Sequence, residues 1–271
     1  MRSYSFIHAN LDRLRLKLKY RLHRVPSTAP ILFITGASAN HFKTLLQFLC
    51  NFSGLKIRNP EINLVVWDLG LTPYQLDFLK SQFSHFEYKR FEFDKYPDWF
   101  DIAKEGGRYA WKPQIIASSV EMALQKNTYL LCWADAGNLF QGKDLGPLIH
   151  YLEKYGIYSP DSSGKVRNWT HPKMLECFKV SSWSFSALDL PMRNASFMGF
   201  NLQNQSVRNF IHDFQEKASV LECIAPEGSN KSNHRQDQSL FTLLYYTYLY
   251  DLKYPYNDQY LGFTVQNDVD A

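Results

Sequence analysis

The chain has 271 residues, of which 45% are hydrophobic, 16% aromatic and 21% charged, and its formal net charge is +4. This composition supplies a sizeable core, and the length suits one large domain with or without appendages. The small positive charge favours an anionic ligand such as a phosphorylated compound, but it is too weak to indicate a nucleic-acid binder.

The cysteines and the potential glycosylation sites bear on the cellular compartment. The four cysteines are widely spaced and include no Cys-x-x-Cys pair, which argues against zinc and against a need for disulfides. Five Asn-x-Ser/Thr tripeptides begin at Asn51, Asn168, Asn194, Asn204 and Asn230. Such tripeptides also arise by chance, and we recognise neither a signal peptide nor a bilayer-spanning apolar run. We therefore expect a thiol-reduced, cytoplasmic protein.

Residues 1–29 form a basic arm. Leu11, Leu14, Leu18 and Leu22 fall near one helical face, and Arg and Lys crowd the rest. This pattern predicts that residues 1–24 form an amphipathic helix peripheral to an anionic membrane, on its inner face. A helix packed on the domain, a mobile arm or a strand remain alternatives, because the alternation is nearly strict.

Residues 30 to about 150 alternate between strand and helix patterns. The predicted strands are "ILFITGAS", "EINLVVWDLGL", "FEYKRFEF" and "TYLLCWADAG". Helices are predicted at about 41–52, after the N-cap Thr72 with Pro73 at the first helical position, and in "WKPQIIASSVEMALQK". Because these strands are nearly continuous apolar runs, they indicate a mostly parallel sheet covered by helices on both faces. The predicted fold class is therefore α/β.

Ligands of such sheets bind beyond the carboxyl ends of the strands, so the residues there are candidate site residues. These candidates are Gly36, Ala37, Ser38, Asn40, Asp68, Asp135, Ala136 and Gly137. The small residues among them allow a phosphate or a ribose to approach the backbone closely. Asp68 taken alone is equally well explained as a turn residue.

The second half, from about residue 151, is less regular. Short strand-like pieces, "FSALDLP" and "ASFMGFNL", precede a helix at about 205–218. An apolar helix then begins near Asp237 in "NHRQDQSLF". An aspartate at a helix start is also an ordinary structural feature.

Six motifs together indicate a family. In chain order they are "WDLGLTPYQ", "GGRYAWKPQII", "LLCWADAG", "NWTHP", "ASFMGFNL" and "HRQDQSLF". This ordered set resembles the nucleotide-diphospho-sugar transferases with a GT-A fold, most closely the DUF1647-like group and more distantly the family 8 glycosyltransferases. The resemblance covers about residues 30–265. It implies one GT-A-like catalytic domain over residues 30–271, with a nucleotide-binding half at 30–150 and a donor-sugar and acceptor half at 151–271.

The resemblance also implies roles for individual residues. The nucleotide would contact the loop after the first strand and Asp68, and the diphosphate would lie near the segment that opens the third helix. These cofactor-binding candidates are Thr35, Gly36, Ala37, Ser38, Asn40, Asp68, Arg108, Trp111 and Lys112. Asp135 would occupy the first position of the Asp-x-Asp motif, with Ala136 and Gly137 beside it, and Gly199 would line the sugar side. Asp237 and Gln238 would face the sugar or accept the acceptor proton.

The second position of Asp-x-Asp is Gly137 in this chain, which affects metal binding. Either Asp135 binds Mn²⁺ or Mg²⁺ with help from His171 or His234, or basic side chains replace the metal. The candidate basic residues are Arg108, Lys112 and Arg235. We expect metal dependence, since charge grows on the leaving diphosphate.

The expected function is transfer of a sugar from a nucleotide-diphosphate sugar to a hydroxyl of a glycan or lipid-linked acceptor, in polysaccharide biosynthesis. The main alternative is an inactive GT-A-fold protein that binds a nucleotide or a sugar. A nucleotidyltransferase is disfavoured because "TGASANHFK" is not a glycine-rich loop with Arg and Lys. We expect no nucleic-acid partner, because aromatic residues do not alternate with basic ones outside the arm.

Overall fold

The computed structural model describes residues 29–142, 144–178, 187–249, 261–265 and 268–269. The predicted amphipathic helix at residues 1–24 lies outside this part of the chain. The strands are β1 Ile31–Ala37, β2 Asn63–Asp68, β3 Glu87–Arg90, β4 Leu130–Ala134, β5 Leu139–Phe140, β6 Ile157–Tyr158, β7 Asp161–Lys165, β8 Pro191–Arg193, β9 Phe197–Asn201 and β10 Phe263–Thr264. The α-helices are α1 Phe42–Arg58, α2 Pro73–Gln82, α3 Trp111–Gln125, α4 Gly146–Tyr155, α5 Val166–Trp169, α6 Pro172–Glu176, α7 Gln205–Ala218, α8 Leu221–Ile224 and α9 Gln236–Leu249.

A six-stranded sheet with the order β3-β2-β1-β4-β9-β6 forms the centre of the molecule. The first four strands along the chain are parallel to one another. Strand β9 is antiparallel to both β4 and β6. The α/β fold with a mostly parallel sheet is thus confirmed, and the carboxyl ends of β1, β2 and β4 meet at one edge.

Helices cover both faces of the sheet, and its strands β1 and β4 are buried along nearly their whole length. Leu32 and Ile34 of β1 belong to a core formed with α3, α7 and α9. Ile31 and Phe33 belong to a second core, formed with α1, α2 and α4. Successive side chains of a strand point to opposite faces, so a continuous apolar run supplies both cores at once.

Helix α2 starts where the sequence predicts. The hydroxyl of Thr72 accepts a hydrogen bond from the Gln75 backbone N–H at 3.2 Å, and the Gln75 side chain accepts one from the Thr72 backbone N–H at 2.9 Å. This reciprocal capping box satisfies two donors that the first helical turn leaves unpaired. Helix α7 also agrees with its predicted range, Gln205–Ala218.

The less regular second half holds two departures from expectation. Cys177 and Cys223 form a disulfide between the end of α6 and α8, so the prediction of a fully reduced chain is wrong. The pairing depends on the packing of α6 against α8, which cysteine spacing does not reveal. In "FSALDLP", a 3-10 turn at Ala187–Asp189 precedes the short strand β8, whereas the sequence predicted one strand.

Within the described ranges, none of the helices has both the length and the apolar character needed to cross a bilayer.

Candidate functional site

A left-handed turn precedes α3 at the carboxyl edge of the sheet. Its five residues, Glu105 to Tyr109, all have positive φ, between 51° and 68°. For residues other than glycine this conformation costs about 1–2 kcal/mol each. A side chain at Gly107 would bring its Cβ within 2.1 Å of the Phe100 carbonyl oxygen, so this position requires glycine. Such strain tends to occur at functional sites.

This left-handed turn places Lys112, the second residue of α3, in the interior of the protein. Its ammonium lies 2.9 Å from Asp237 Oδ2 and 3.1 Å from Asp135 Oδ1. It also donates a hydrogen bond to the Ala195 carbonyl oxygen at 3.3 Å. The ammonium therefore lies between two carboxylate oxygens and one carbonyl oxygen of the protein. Lys112 joins two aspartates from separate motifs into one cluster.

The pKa values of the cluster reflect burial and mutual attraction. Burial alone would lower the pKa of Lys112, but the charges of Asp135 and Asp237 outweigh it and raise that pKa above its usual value. Burial raises the pKa of Asp237, although the nearby Lys112 charge opposes this shift. Two carboxylates and one ammonium leave one net negative charge when all three are ionised.

Asp135 is the member of the cluster that opens to solvent. Its side chain is 37% exposed, compared with 8% for Asp237 and 5% for Lys112. Its Oδ1 atom accepts a hydrogen bond from Trp133 Nε1 at 2.6 Å in addition to the Lys112 contact. The described residues make no such contact with Oδ2, so this oxygen remains available to a ligand.

The ends of β1 and β2 are tied together beside the cluster. The Ala39 N–H donates to the Gly70 carbonyl oxygen, and the Leu69 N–H donates to that of Ala37. Asp68 Oδ1 accepts hydrogen bonds from the N–H groups of Gly70 at 2.8 Å and Leu71 at 2.6 Å, which makes Asp68 a turn-forming residue.

The predicted residues of the β1 loop differ in accessibility. Thr35 lies within β1 and is buried, and its hydroxyl has no hydrogen-bond partner among the described residues. Gly36 and Ala37 complete the strand. Ser38 and Asn40 follow it, with the Ser38 hydroxyl donating to Asn40 Oδ1 at 2.5 Å. The backbone and the polar groups after Ala37 therefore form the part of this loop that a ligand can reach.

The residues around Asp135 and Asp237 complete the cluster's surroundings. Ala136 is buried beside Asp135, and Gly137 supplies no side chain. Gln238 is half-buried and follows Asp237 in the first turn of α9. The structure brings Asp135, Lys112 and Asp237 together, with Gln238 next to Asp237 in the chain, although nothing in their spacing indicated the lysine bridge.

Two predicted positions, Gly199 and Trp111, have structural surroundings. Gly199 lies inside β9, where an added Cβ would meet Leu152 at 3.0 Å, and its assignment to the sugar side stays a prediction. Trp111 is 6% exposed and donates to the Gly106 carbonyl oxygen at 3.0 Å, which anchors the left-handed turn. Trp111 therefore supports the turn that precedes Lys112.

The predicted metal ligand His234 is fully buried, and both its ring nitrogens are hydrogen-bonded within the fold. Nδ1 accepts from the His171 backbone N–H at 3.3 Å, and Nε2 lies 2.8 Å from the Ile224 carbonyl oxygen. Burial, strengthened by the nearby His171, lowers its pKa to about 4. His171 itself caps α6 by accepting from the Lys173 N–H. These contacts explain His234 as a structural residue, and its assignment to a metal stays a prediction.

The candidate basic residues are also engaged with protein groups. Arg108 pairs with Glu105 of the same turn. Arg235 stacks on Trp169 with its guanidinium carbon 3.8 Å from the ring centroid, and it donates to the Lys231 carbonyl oxygen. Lys112 is buried and paired with Asp135 and Asp237, so these three residues direct little positive charge at a diphosphate.

A divalent cation fits the remaining donor at this site. Mg²⁺ and Mn²⁺ commonly take one or two carboxylate oxygens and complete their shell with phosphate oxygens and water. Asp135 Oδ2 is one such oxygen, and the cluster's net negative charge attracts a cation. Among the described residues, the group with the spacing of a three-ligand site is elsewhere, at His212, Asp213 and Glu216 on the surface of α7.

Two aromatic residues near the cluster were not predicted as site residues. Trp133 lies two positions before Asp135 on β4, so strand periodicity places both on one face and could have indicated their contact. Tyr109 is 37% exposed, and its ring centroid lies 5.8 Å from Lys112 Nζ. The positive φ of Tyr109 is seen only in the structure, because the residues "GGRY" by themselves do not indicate it.

The comparisons with known proteins agree with this architecture. The model of the family described as protein of unknown function DUF1647 matches residues 16–117, which confirms the resemblance over that part of the chain. No curated protein sequence matches. Core-mannan synthase A from Aspergillus fumigatus, solved in an Mn/GDP form, superposes with a TM-score of 0.50 at 8% identity, covering 81% of this chain and 70% of that one. This similarity shows a shared GT-A fold.

Two further solved structures are similar at lower TM-scores. Mouse xyloside xylosyltransferase 1, in its apo form, gives 0.46 at 13% identity and covers 88% of this chain and 97% of that one. The galactosyltransferase LgtC, solved with donor and acceptor sugar analogues, gives 0.45 at 14% identity and covers 77% of this chain and 68% of that one.

Proposed function

We propose that the chain is a glycosyltransferase that moves a sugar from a nucleotide-diphosphate sugar to a hydroxyl of a glycan or lipid-linked acceptor. The observation that carries this proposal is the bridge from Lys112 to Asp135 at 3.1 Å and to Asp237 at 2.9 Å, at the carboxyl edge of a GT-A-like sheet. Ligands of open α/β sheets bind at this edge.

In this proposal Asp135 binds the donor. Trp133 Nε1 and Lys112 fix its Oδ1 atom, so Oδ2 is held outward, where it contacts the ribose or a divalent cation. A cation bound there would neutralise the charge that develops on the leaving diphosphate. The Mn/GDP form of core-mannan synthase A, which shares the fold, supports a divalent cation in general.

Asp237 acts at the sugar. It lies at the start of α9, and the ammonium of Lys112 holds one of its oxygens. From this position the carboxylate either contacts the transferred sugar or accepts the proton of the acceptor hydroxyl. Gln238, half-buried beside it, supplies an amide to the same region.

Lys112 is a positioning residue. Because it is buried between the two aspartates, 3.1 Å from Asp135 and 2.9 Å from Asp237, it orients the two carboxylates. Tyr109, exposed beside the cluster, supplies an aromatic surface on which a sugar ring can pack.

A panel of nucleoside diphosphates tests the proposal by thermal shift, with and without Mn²⁺. We expect one nucleotide to stabilise the protein in the presence of Mn²⁺, and the matching nucleotide sugar to be hydrolysed slowly without acceptor. Asp135→Asn should abolish both effects without loss of fold, whereas the exposed Asp77→Asn on α2 serves as the matched control.

The possible outcomes separate the alternatives. Stabilisation without hydrolysis or transfer would favour a nucleotide-binding protein that lacks activity. Indifference to every nucleotide, or activity that survives Asp135→Asn, would contradict the proposed function.

A further inference from the structure

The disulfide between Cys177 and Cys223 bears on where the protein matures. It joins the end of α6 to α8 across 46 residues, with the two Cα atoms 5.5 Å apart. The other two cysteines, Cys50 and Cys132, are free. Structural disulfides form and persist in oxidising compartments, whereas cytosolic thiols are kept reduced.

The glycosylation tripeptides are more frequent than composition explains. The chain contains 16 asparagines and 31 serines and threonines among 271 residues. Random placement would give about two Asn-x-Ser/Thr tripeptides, whereas the chain has five. Frequency alone does not identify modified positions, but the surroundings of each asparagine do.

Two of the five asparagines are committed to the fold. Asn51 donates to the Phe140 carbonyl oxygen at 3.1 Å and accepts from the Phe140 N–H at 2.6 Å, so it ties α1 to β5. Asn194 is 6% exposed, and its Oδ1 accepts from the Ser196 N–H at 2.7 Å. A glycan at either amide would break these contacts or require the chain around it to open.

A third asparagine, Asn204, is exposed but forms the N-cap of α7, where its Oδ1 accepts from the Ser206 N–H. Its Nδ2 lies close to Gly156, within 3.3 Å of the position where a Cβ on that glycine would be. A glycan on this nitrogen would press against the turn between α4 and β6.

The remaining two asparagines, Asn168 and Asn230, are exposed with their amide nitrogens accessible. Asn168 Oδ1 accepts from the Lys165 N–H at 3.2 Å, and Asn230 Oδ1 accepts from the Ser232 N–H at 2.9 Å. Among the described residues, no acceptor is hydrogen-bonded to either Nδ2, which is the atom that N-glycosylation modifies.

Both exposed sites lie in segments that pack near the disulfide. Asn168 is in α5, just before α6, which ends at Cys177. Asn230 follows α8, and an exposed ion pair of Lys173 with Glu227 at 3.0 Å connects the two segments. The disulfide and the two exposed tripeptides therefore lie in one region of the surface.

We propose that the chain matures in an oxidising, glycosylating compartment, where Cys177 pairs with Cys223 and N-linked glycans are attached at Asn168 and Asn230. The two thiols lose two protons and two electrons to a disulfide-carrying oxidant of that compartment. At each asparagine a lipid-diphosphate-linked oligosaccharide is the donor: its C1–O bond breaks, a C1–Nδ2 bond forms, Nδ2 loses one proton and the lipid diphosphate leaves. This assignment replaces the cytoplasmic location expected from the sequence.

Expression of the full chain in cultured eukaryotic cells tests the proposal, once with an added secretory leader and once in the cytosol. Peptide mass mapping after glycosidase treatment should find glycans at Asn168 and Asn230 of the secreted form, with Asn51 and Asn194 unmodified. Asn168→Gln and Asn230→Gln should each remove one glycan. Thr170→Val and Ser232→Ala should do the same while keeping the asparagine, which controls for misfolding.

Stability gives an independent readout. The secreted form should show the Cys177–Cys223 link in non-reducing maps, and its Tm should fall on the order of 5–10 °C on reduction or in Cys177→Ser. The cytosolic form should already have the lower Tm. Bare Asn168 and Asn230, glycans at Asn51 or Asn194, or equal Tm values for the two forms would overturn the proposal.

Discussion

Two buried cation–carboxylate clusters differ in whether one of their carboxylates is exposed to solvent. Arg193 pairs with Asp161 and donates to the Ser159 carbonyl oxygen, with its guanidinium carbon 4.5 Å from the Tyr245 ring centroid. The Arg193 and Asp161 side chains are 4% and 7% exposed. In the other cluster Lys112 and Asp237 are equally buried, but Asp135 is 37% exposed.

The difference distinguishes a structural ion pair from a site. Because both side chains of the closed pair are buried, this pair offers no group to a ligand. The Lys112 cluster keeps one carboxylate oxygen toward solvent and retains a net negative charge. A buried charge network that opens at the carboxyl edge of a sheet is a functional-site candidate on physical grounds.

The largest expected effect comes from Asp237→Asn in the open cluster. We expect transfer to fall by about 10²–10⁴-fold, because the amide neither carries the charge nor accepts a proton. Since Lys112 keeps Asp135 at 3.1 Å as a carboxylate partner, this neutral replacement of the same size should lower the free energy of unfolding by about 1–3 kcal/mol. Activity assays and urea denaturation check the two expectations, with Asp77→Asn as control.

Arg193→Met in the closed cluster should act on stability instead. Removing Arg193 takes its cationic partner from the buried Asp161, which we expect to cost about 3–5 kcal/mol in urea denaturation. The exposed pair of Lys173 and Glu227 provides the control, since Lys173→Met should cost less than about 1 kcal/mol. Loss of nucleotide affinity in folded Arg193→Met protein would show that the two clusters are not separate.

His234 makes the stability of the fold depend on pH. Its pKa is lowered to about 4 in the fold by burial and by the adjacent His171, against about 6.5 when unfolded. As the pH falls, the unfolded chain therefore binds this proton at a higher pH than the folded chain does. The contribution of neutral His234 to stability is full above about pH 6.5 and is lost as the pH drops to about 4. The expected loss is about 3 kcal/mol. His234→Gln should flatten this slope, whereas the exposed His85→Gln should leave it unchanged.

The smallest expected effect concerns the strained turn that delivers Lys112. Tyr109→Gly should stabilise the protein by up to about 1 kcal/mol, because glycine adopts the φ of 56° without strain. If Tyr109 contacts the sugar, the same variant should weaken transfer. Asn127→Gly is the matched control, with a φ of 51° at a distant turn, and it should leave transfer unchanged. Unaltered transfer in Tyr109→Gly would remove Tyr109 from the site.

The sequence was informative where structure depends on local patterns. The parallel strands β1, β2 and β4 follow from nearly continuous apolar runs, and β3 follows from an alternating pattern. The Thr72 cap and the range of α7 follow from local residue preferences. Asp135 and Asp237 were identified through motifs. In each case the determining residues lie within a few positions of one another.

The remaining features depend on contacts between distant segments. The disulfide requires α6 and α8 to pack together, and the lysine bridge requires α3, β4 and α9 to converge. A motif does not distinguish a glycine that admits a ligand from one that makes room for Leu152, as Gly199 does. It also does not show that both ring nitrogens of His234 are engaged within the fold.

A double-mutant cycle tests the central claim, that Lys112 joins Asp135 and Asp237 into one site. It compares kcat/KM of the donor nucleotide sugar for Asp135→Asn, Asp237→Asn and the double variant. If the two carboxylates act as a unit, the double variant should lose little more than the worse single variant, with a coupling of at least about 1 kcal/mol. Additive losses would contradict the account, because they would mean that the two aspartates act independently.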